Sequence, residues 1–258
     1  MIIDTHCHLD DEAYFSDLDE VLNNAKLSGV EKIVIPGADL NDLQRAVNLC
    51  EKYENLYFAV GVHPYNVDNF KIENLVKFIN HKKCVGVGEC GLDYFHFKNL
   101  TEDEKNQQKK LQKDVFKTQI KLAIDYKKPL ILHIREANED AYKILKKYAK
   151  DLIGGVFHCF NANEIFLEFK EQNFFYGIGG VLTFKNAKKL VEILPKIGIQ
   201  NIIIETDGPY LAPEPNRGKR NEPAFTKFVV EKISKILELD ENFIEEVTTK
   251  NAKKLFLI

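Results

Sequence analysis

The chain begins "MIIDTHCHLD" over residues 1–10, two isoleucines followed by Asp4, His6 and His8 at alternate positions. Side chains two residues apart in a strand share a face. A half-buried strand normally turns apolar residues inward. A face carrying one carboxyl and two imidazoles therefore marks a strand that ends at a functional site. The segments that follow decide what sheet it belongs to. Short apolar runs recur at 1–6, 32–37, 56–63, 83–89, 129–134, 153–158, 174–179 and 200–206. Between them, 17–29, 41–53, 71–81, 104–127, 138–150, 163–172 and 185–196 carry apolar residues at three- and four-residue spacing, and 222–238 and 241–255 close the chain the same way. Strand–helix alternation predicts a parallel sheet covered by helices. Eight such pairs in about 250 residues predict an α/β fold, a (β/α)8 TIM barrel, as a single domain over residues 1–258. The competing doubly wound sheet would call for a GxGxxG turn after the first strand, and none is there.

Composition sets the outer bounds. The chain is 45% hydrophobic and 29% charged with a formal net charge of −3, an ordinary globular balance. Bulk charge gives no attraction to nucleic acid, so any phosphate binding must come from a local patch. The five cysteines are odd in number and none shows CxxC spacing. The first residues also lack the charged and then apolar layout of a secretory signal. Together these features predict a reducing, cytoplasmic location with no disulfide framework. No apolar run reaches the ~18–20 residues of a bilayer span, so no membrane integration is expected. Nothing in the surface pattern demands a dimer, and a monomer is expected.

In a parallel barrel the C-terminal strand ends form one rim, where active sites sit. The first predicted strand delivers His6 and His8, the third His63, the fourth Glu89, the fifth His133 with Arg135, the sixth His158, and the eighth Glu205 with Asp207. Five of the seven histidines fall on this rim. One histidine at a strand end is more often structural than functional; convergence of this many ligand-type residues is what points to metal. Imidazole with carboxylate suits Zn²⁺ or Mn²⁺, and Mg²⁺ in a wetter site. His6, His8, Glu89, His133, His158 and Asp207 are too many for one tetrahedral zinc with an open position. They suit two divalent ions roughly 3.5–4 Å apart that share a carboxylate. We assign His6, His8 and Asp207 to one ion, His133 and His158 to the other, and Glu89 to both. Asp4 and Glu205, each two residues before a ligand, are expected one layer lower, orienting imidazoles. Cys7 points the other way and is discounted.

The segments "DTHCHLD" (4–10), "GVHP" (61–64), "VGECGLDY" (87–94), "LHIRE" (132–136), "FHCF" (157–160), "ETDGPYLAP" (205–213) and "RGKRNEP" (217–223) resemble, in order, the motifs of the TatD family of metal-dependent hydrolases. That family belongs to the wider amidohydrolase group of barrels. The resemblance implies a divalent-metal-dependent deoxyribonuclease, often with 3′→5′ exonuclease behaviour, and places its ligands on the same six residues. The family commonly has Ser or Ala where Gly208 stands, Ser or Cys at Ile134, and Ser-Gly at Asn161-Ala162.

The chemistry expected is phosphodiester hydrolysis by a metal-bound hydroxide, with Asp207 as ligand and general base and Glu89 as the bridge. Only four of the basic residues are arginines, and Arg135, Arg217 and Arg220 lie beside the rim or in the last loop. Planar bidentate contact with an oxyanion favours Arg over Lys. Arg135 is therefore expected to clamp phosphate with His63 as a neighbouring donor. Arg217, Lys219 and Arg220 are expected to form a basic patch for a nucleic-acid backbone. Tyr94 and Tyr210 are expected as pocket walls that stack bases of single-stranded DNA or strand ends. Two other readings stay open: a bimetal amidohydrolase acting on a small ester or amide, since hydroxide attack is shared chemistry, and a non-catalytic protein that keeps metal for stability.

Overall fold

In the computed structural model, which describes residues 1–258, eight strands form one parallel sheet in chain order. They are β1 (Ile2–Asp4), β2 (Val30–Ile35), β3 (Leu56–Val60), β4 (Cys84–Asp93), β5 (Leu130–Arg135), β6 (Gly155–Phe157), β7 (Phe174–Ile178) and β8 (Ile202–Ile204). The α-helices between and after them are α1 (Leu18–Leu27), α2 (Leu43–Lys52), α3 (Ile72–Ile79), α4 (Glu102–Asp125), α5 (Asn138–Tyr148), α6 (Lys188–Ile197), α7 (Thr226–Leu237) and α8 (Glu241–Phe256). The longest, α4, starts with a capping box in which Thr101 accepts from the Glu104 N–H and Glu104 accepts from the Thr101 N–H, satisfying two helix-end donors. The architecture is the (β/α)8 barrel, nearly closed.

Strand alternation divides the apolar residues into two cores. Ile3, Val34, Ala59, Val85, Ile131, Val156, Phe175 and Ile203, one from each strand, fill the barrel interior, and Ala252, Leu255 and Phe256 of α8 cover their layer. The other cluster packs the outer strand faces against the helices. The barrel is thus plugged with hydrocarbon at one end, and the polar residues gather at the other.

Three expectations change. First, the segment 163–172 winds as 3₁₀ turns (Glu164–Gln172) rather than an α-helix. Phe166 and Phe169, three residues apart, both pack on Phe157, and a 3₁₀ winding aligns i and i+3. Second, β4 runs on to Asp93. Third, β1 stops at Asp4, so His6 and His8 lie beyond the strand. Ile3 points into the barrel, which sends Asp4 to the opposite face. Asp4 therefore does not sit beneath the imidazoles as expected. Its carboxylate accepts from the His6 N–H (3.2 Å), the Thr206 N–H (3.0 Å) and the Thr206 hydroxyl (2.6 Å).

Asp4 thereby fastens the first strand to the segment after the last. The closure continues with Thr5 N–H to the Ile204 carbonyl (3.0 Å), Asp207 N–H to the His6 carbonyl (2.8 Å) and His8 N–H to the Gly208 carbonyl (2.8 Å). Replacing Asp4 by Ala leaves the buried His6 and Thr206 N–H groups without this acceptor and the Thr206 hydroxyl with only a long bond to the His6 carbonyl (3.4 Å). We expect a loss of about 2–4 kcal/mol in urea unfolding; a change below about 1 kcal/mol would show that Asp4 does not hold the seam.

Candidate metal centre

Glu89 sits where the rim residues meet. Its Oε1 lies 2.7 Å from His133 Nδ1, 3.4 Å from His158 Nε2 and 3.7 Å from His63 Nε2. Its Oε2 lies 3.4 Å from His6 Nε2 and 3.7 Å from His8 Nε2. Asp207 Oδ1 faces the same pair, 3.6 Å from His6 Nε2 and 3.7 Å from His8 Nε2. The two oxygens of one carboxylate thus look at two different groups of ligand-type atoms. Close approach of β4 to β5 makes this possible: a Cβ on Gly91 would stand 1.9 Å from the His133 carbonyl. Gly177 likewise leaves room for the Glu205 carboxylate.

Two of the imidazoles, His133 and His63, are held by hydrogen bonds. Asp93 Oδ2 lies 2.8 Å from His133 Nε2. A proton held there leaves the Nδ1 lone pair directed at Glu89. Glu205 Oε1 accepts from the Cys159 N–H at 2.6 Å and approaches His158 Nδ1 to 3.4 Å without a hydrogen bond to it. His63 Nδ1 accepts from the Tyr65 N–H (3.1 Å), which puts the proton of a neutral ring on Nε2, facing the cavity. Burial, with His133 and His158 nearby, lowers the His63 pKa to about 4, so this ring is a neutral donor. Asp207 sits at φ 60°, a left-handed conformation that aspartate tolerates.

The donor set fits a divalent cation. Burial in this cluster opposes protonation of His158, yet the Glu89, Glu205 and Asp207 carboxylates outweigh it and raise its pKa to about 10. Burial likewise penalises ionisation of Glu89, and the surrounding imidazoles reverse the effect and hold it well below the ordinary carboxylate range. The field of the site demands positive charge. Both nitrogens of His6, Nδ1 of His158 and Oε2 of Glu205 are buried without a hydrogen-bond partner. Atoms of this kind are costly to bury unless something binds them. Imidazole nitrogen and carboxylate oxygen in such groups as His6–His8–Glu89 and Glu89–His133–His158 lie close enough to share an ion.

The family model described as TatD related DNase matches residues 3–257. The chain belongs to the TatD family of metal-dependent hydrolases. It is 42% identical over its whole length, and over the whole of the relative, to a Bacillus subtilis protein named "Uncharacterized metal-dependent hydrolase YabD". It is 32% identical to the Escherichia coli "Uncharacterized metal-dependent hydrolase YcfH", covering all of this chain and 96% of that one. Among solved structures, the TatD homologue YjjV of E. coli superposes with a TM-score of 0.89 at 28% identity, covering all of this chain and 98% of that one.

Within this TatD-family barrel, several substrate contacts expected from sequence fall elsewhere. Arg220 is not free for a nucleic acid: its guanidinium bonds Asp17 at 2.8 and 2.7 Å, Glu222 at 2.8 Å and the Ala13 carbonyl at 2.6 Å. Tyr94 does not line the cavity; its hydroxyl donates to Asp140 (2.9 Å) and its ring stacks on Phe97. Tyr65 lines the cavity instead, as does Tyr210. Arg135 is exposed, makes no ion pair and stacks 3.6 Å over Phe95. Arg217 lies 3.6 Å over Phe184. The cavity, about 410 Å³, is lined by no lysine or arginine, so the expected basic lining gives way to an acidic one.

Residues not singled out from the sequence also build the site. Asp93 is one. Buried Gln112 on α4 is another, binding the Asp93 N–H and carbonyl at 2.9 and 3.0 Å. Gln119 clamps Val62 in the same manner at 2.8 and 3.0 Å, next to His63. Polar residues in a Lys-rich helix gave no period to distinguish them. Gly208, where the family commonly carries Ser or Ala, has its reason in the neighbouring Tyr14 hydroxyl, 2.5 Å from where a Cβ would stand.

Removing the Asp93 carboxylate frees His133 to swivel. For Asp93→Ala we expect Mn²⁺ affinity, measured calorimetrically on the folded protein, to fall about 10–100-fold. Unchanged affinity would mean that Asp93 does not position the ring.

Proposed function

We propose that this TatD-family hydrolase cleaves phosphodiester bonds of DNA, at single strands or strand ends and with 3′→5′ polarity, using two divalent ions (Zn²⁺, Mn²⁺ or Mg²⁺) that share Glu89. The observation that carries the reading is the division of Glu89: one oxygen toward His6 and His8, the pair that Asp207 also faces, the other toward His133 and His158. Bound ions would acidify a coordinated water and offset charge on the phosphoryl oxygens.

The chain's own groups do the rest. The imidazoles that confront Asp207 hold it ionised against the cost of burial, so it can accept the proton of the attacking water. His63 presents its Nε2–H to a non-bridging phosphoryl oxygen, a preorganised donor. Tyr65 and Tyr210, both lining the cavity, offer rings against which a terminal base can lie. Arg135, unpaired at the rim, is available to a neighbouring phosphate.

The acidic lining favours a second reading, hydrolysis of a small ester or amide that carries no phosphate. A substrate panel separates the two. Phosphodiester turnover should dominate, require added metal after chelation, and fall at least about a hundredfold in Glu89→Ala and His158→Ala. Ester or cyclic-amide turnover without cleavage of an end-labelled oligonucleotide would reject the nuclease reading. For His63→Ala we expect roughly a tenfold or greater loss in kcat/KM on the oligonucleotide, in line with loss of one hydrogen bond to a charged group.

A further inference from the structure

One side of the cavity carries Asp10, Asp11, Asp39 and Asp42. Four carboxylates there repel a polyanion approaching the rim, and no lysine or arginine lines the cavity to offset them. Two features distinguish this wall from a solvated acidic edge. Asp10 is only 6% exposed, yet it lines the cavity, and no other residue donates a hydrogen bond to its carboxylate. Asp42 occupies the N-cap of α2 but makes no capping bond with its helix. Arg45, three residues after Asp42, is stacked 3.4 Å over Phe15 and forms an ion pair with none of the four. Asp11 and Asp39 are fixed by backbone N–H groups of Ala13 and Asn41, each at 2.8 Å.

The four aspartates form no three-ligand cluster of their own, so there is no cage for a dehydrated zinc. Mg²⁺ has other needs. It gives up water reluctantly and is held by one or two carboxylates together with substrate phosphates. We propose that Asp10 and Asp42, with Asp39 beside them, hold a hydrated Mg²⁺ at the cavity mouth, separate from the ions at Glu89, which bridges the wall to the phosphate next to the scissile one. This site rests on the phosphodiester reading above. It turns a repulsive wall into a conditional one: a strand is admitted when the ion is in place.

The test counts Mn²⁺ bound to the full chain by electron paramagnetic resonance, with Mn²⁺ alone as probe. The wild type is compared with Asp39→Asn/Asp42→Asn and with Asp42→Lys, circular dichroism verifying the fold of each. The wild type should bind one weak, millimolar-range equivalent more than either variant. On a linear oligonucleotide it should show a second, millimolar phase of Mg²⁺ activation that the double variant lacks. Asp42→Lys, which tethers an ammonium at the same place, should hydrolyse the oligonucleotide with no such phase and without the loss of rate seen in the double variant. Equal Mn²⁺ counts in all three proteins would overturn the site. A lost equivalent with no DNA cleavage by any protein would leave the cation site standing and reject the phosphodiester reading instead.

Discussion

Closure between β8 and β1 is the constraint on which the site depends. Seven junctions of the barrel are parallel strand ladders. The eighth is made largely beyond the strand ends, by the segments that carry His6, His8 and Asp207: His6 accepts from the Asp207 N–H, His8 donates to Gly208, and Asp4 gathers Thr206. Candidate ligands from the two ends of the chain are therefore fixed relative to one another by the same hydrogen bonds that close the barrel. Asn221 extends the arrangement into the last loop, donating to the carbonyls of Thr206 (2.7 Å) and Tyr210 (2.8 Å). Fold stability and site geometry are, at this seam, one quantity.

The barrel's polarity along its axis follows from the same economy. Hydrocarbon fills the interior where α8 packs, and carboxylates with imidazoles fill the other end. Charges this buried are tolerated only when paired or bound. The mutual shifts of His158 and Glu89 show how strongly each group depends on opposite charge nearby. A metal supplies that charge without consuming the lone pairs in protonation, which is why the rim reads as a site for cations and not as an ion-pair network built for stability.

Much of this was legible before any coordinates. Strand–helix alternation located all eight strands, because buried parallel strands read as apolar runs and their covering helices carry a period. His6, His8, Glu89, His133, His158 and Asp207 stood out because chemistry-bearing residues collect at strand ends in this fold. What periodicity could not reveal were relations set by tertiary packing. Asp4 lay on the predicted inward face only if β1 continued past Asp4, and the seam bends it away. Asp93 lay outside the expected fourth strand, which runs four residues further. Arg220 and Tyr94 were placed by loop sequence alone, and their partners Asp17 and Asp140 come from distant helical regions that no local pattern announces. The acidic wall draws on aspartates from the loops after both β1 and β2, so no single stretch displays it.

The most direct test of the central claim is anomalous scattering from crystals grown with Mn²⁺. The account predicts two peaks roughly 3.5–4 Å apart, one on each side of Glu89, the first against His6, His8 and Asp207 and the second against His133 and His158. A single peak, or a pair that does not share Glu89, would contradict it.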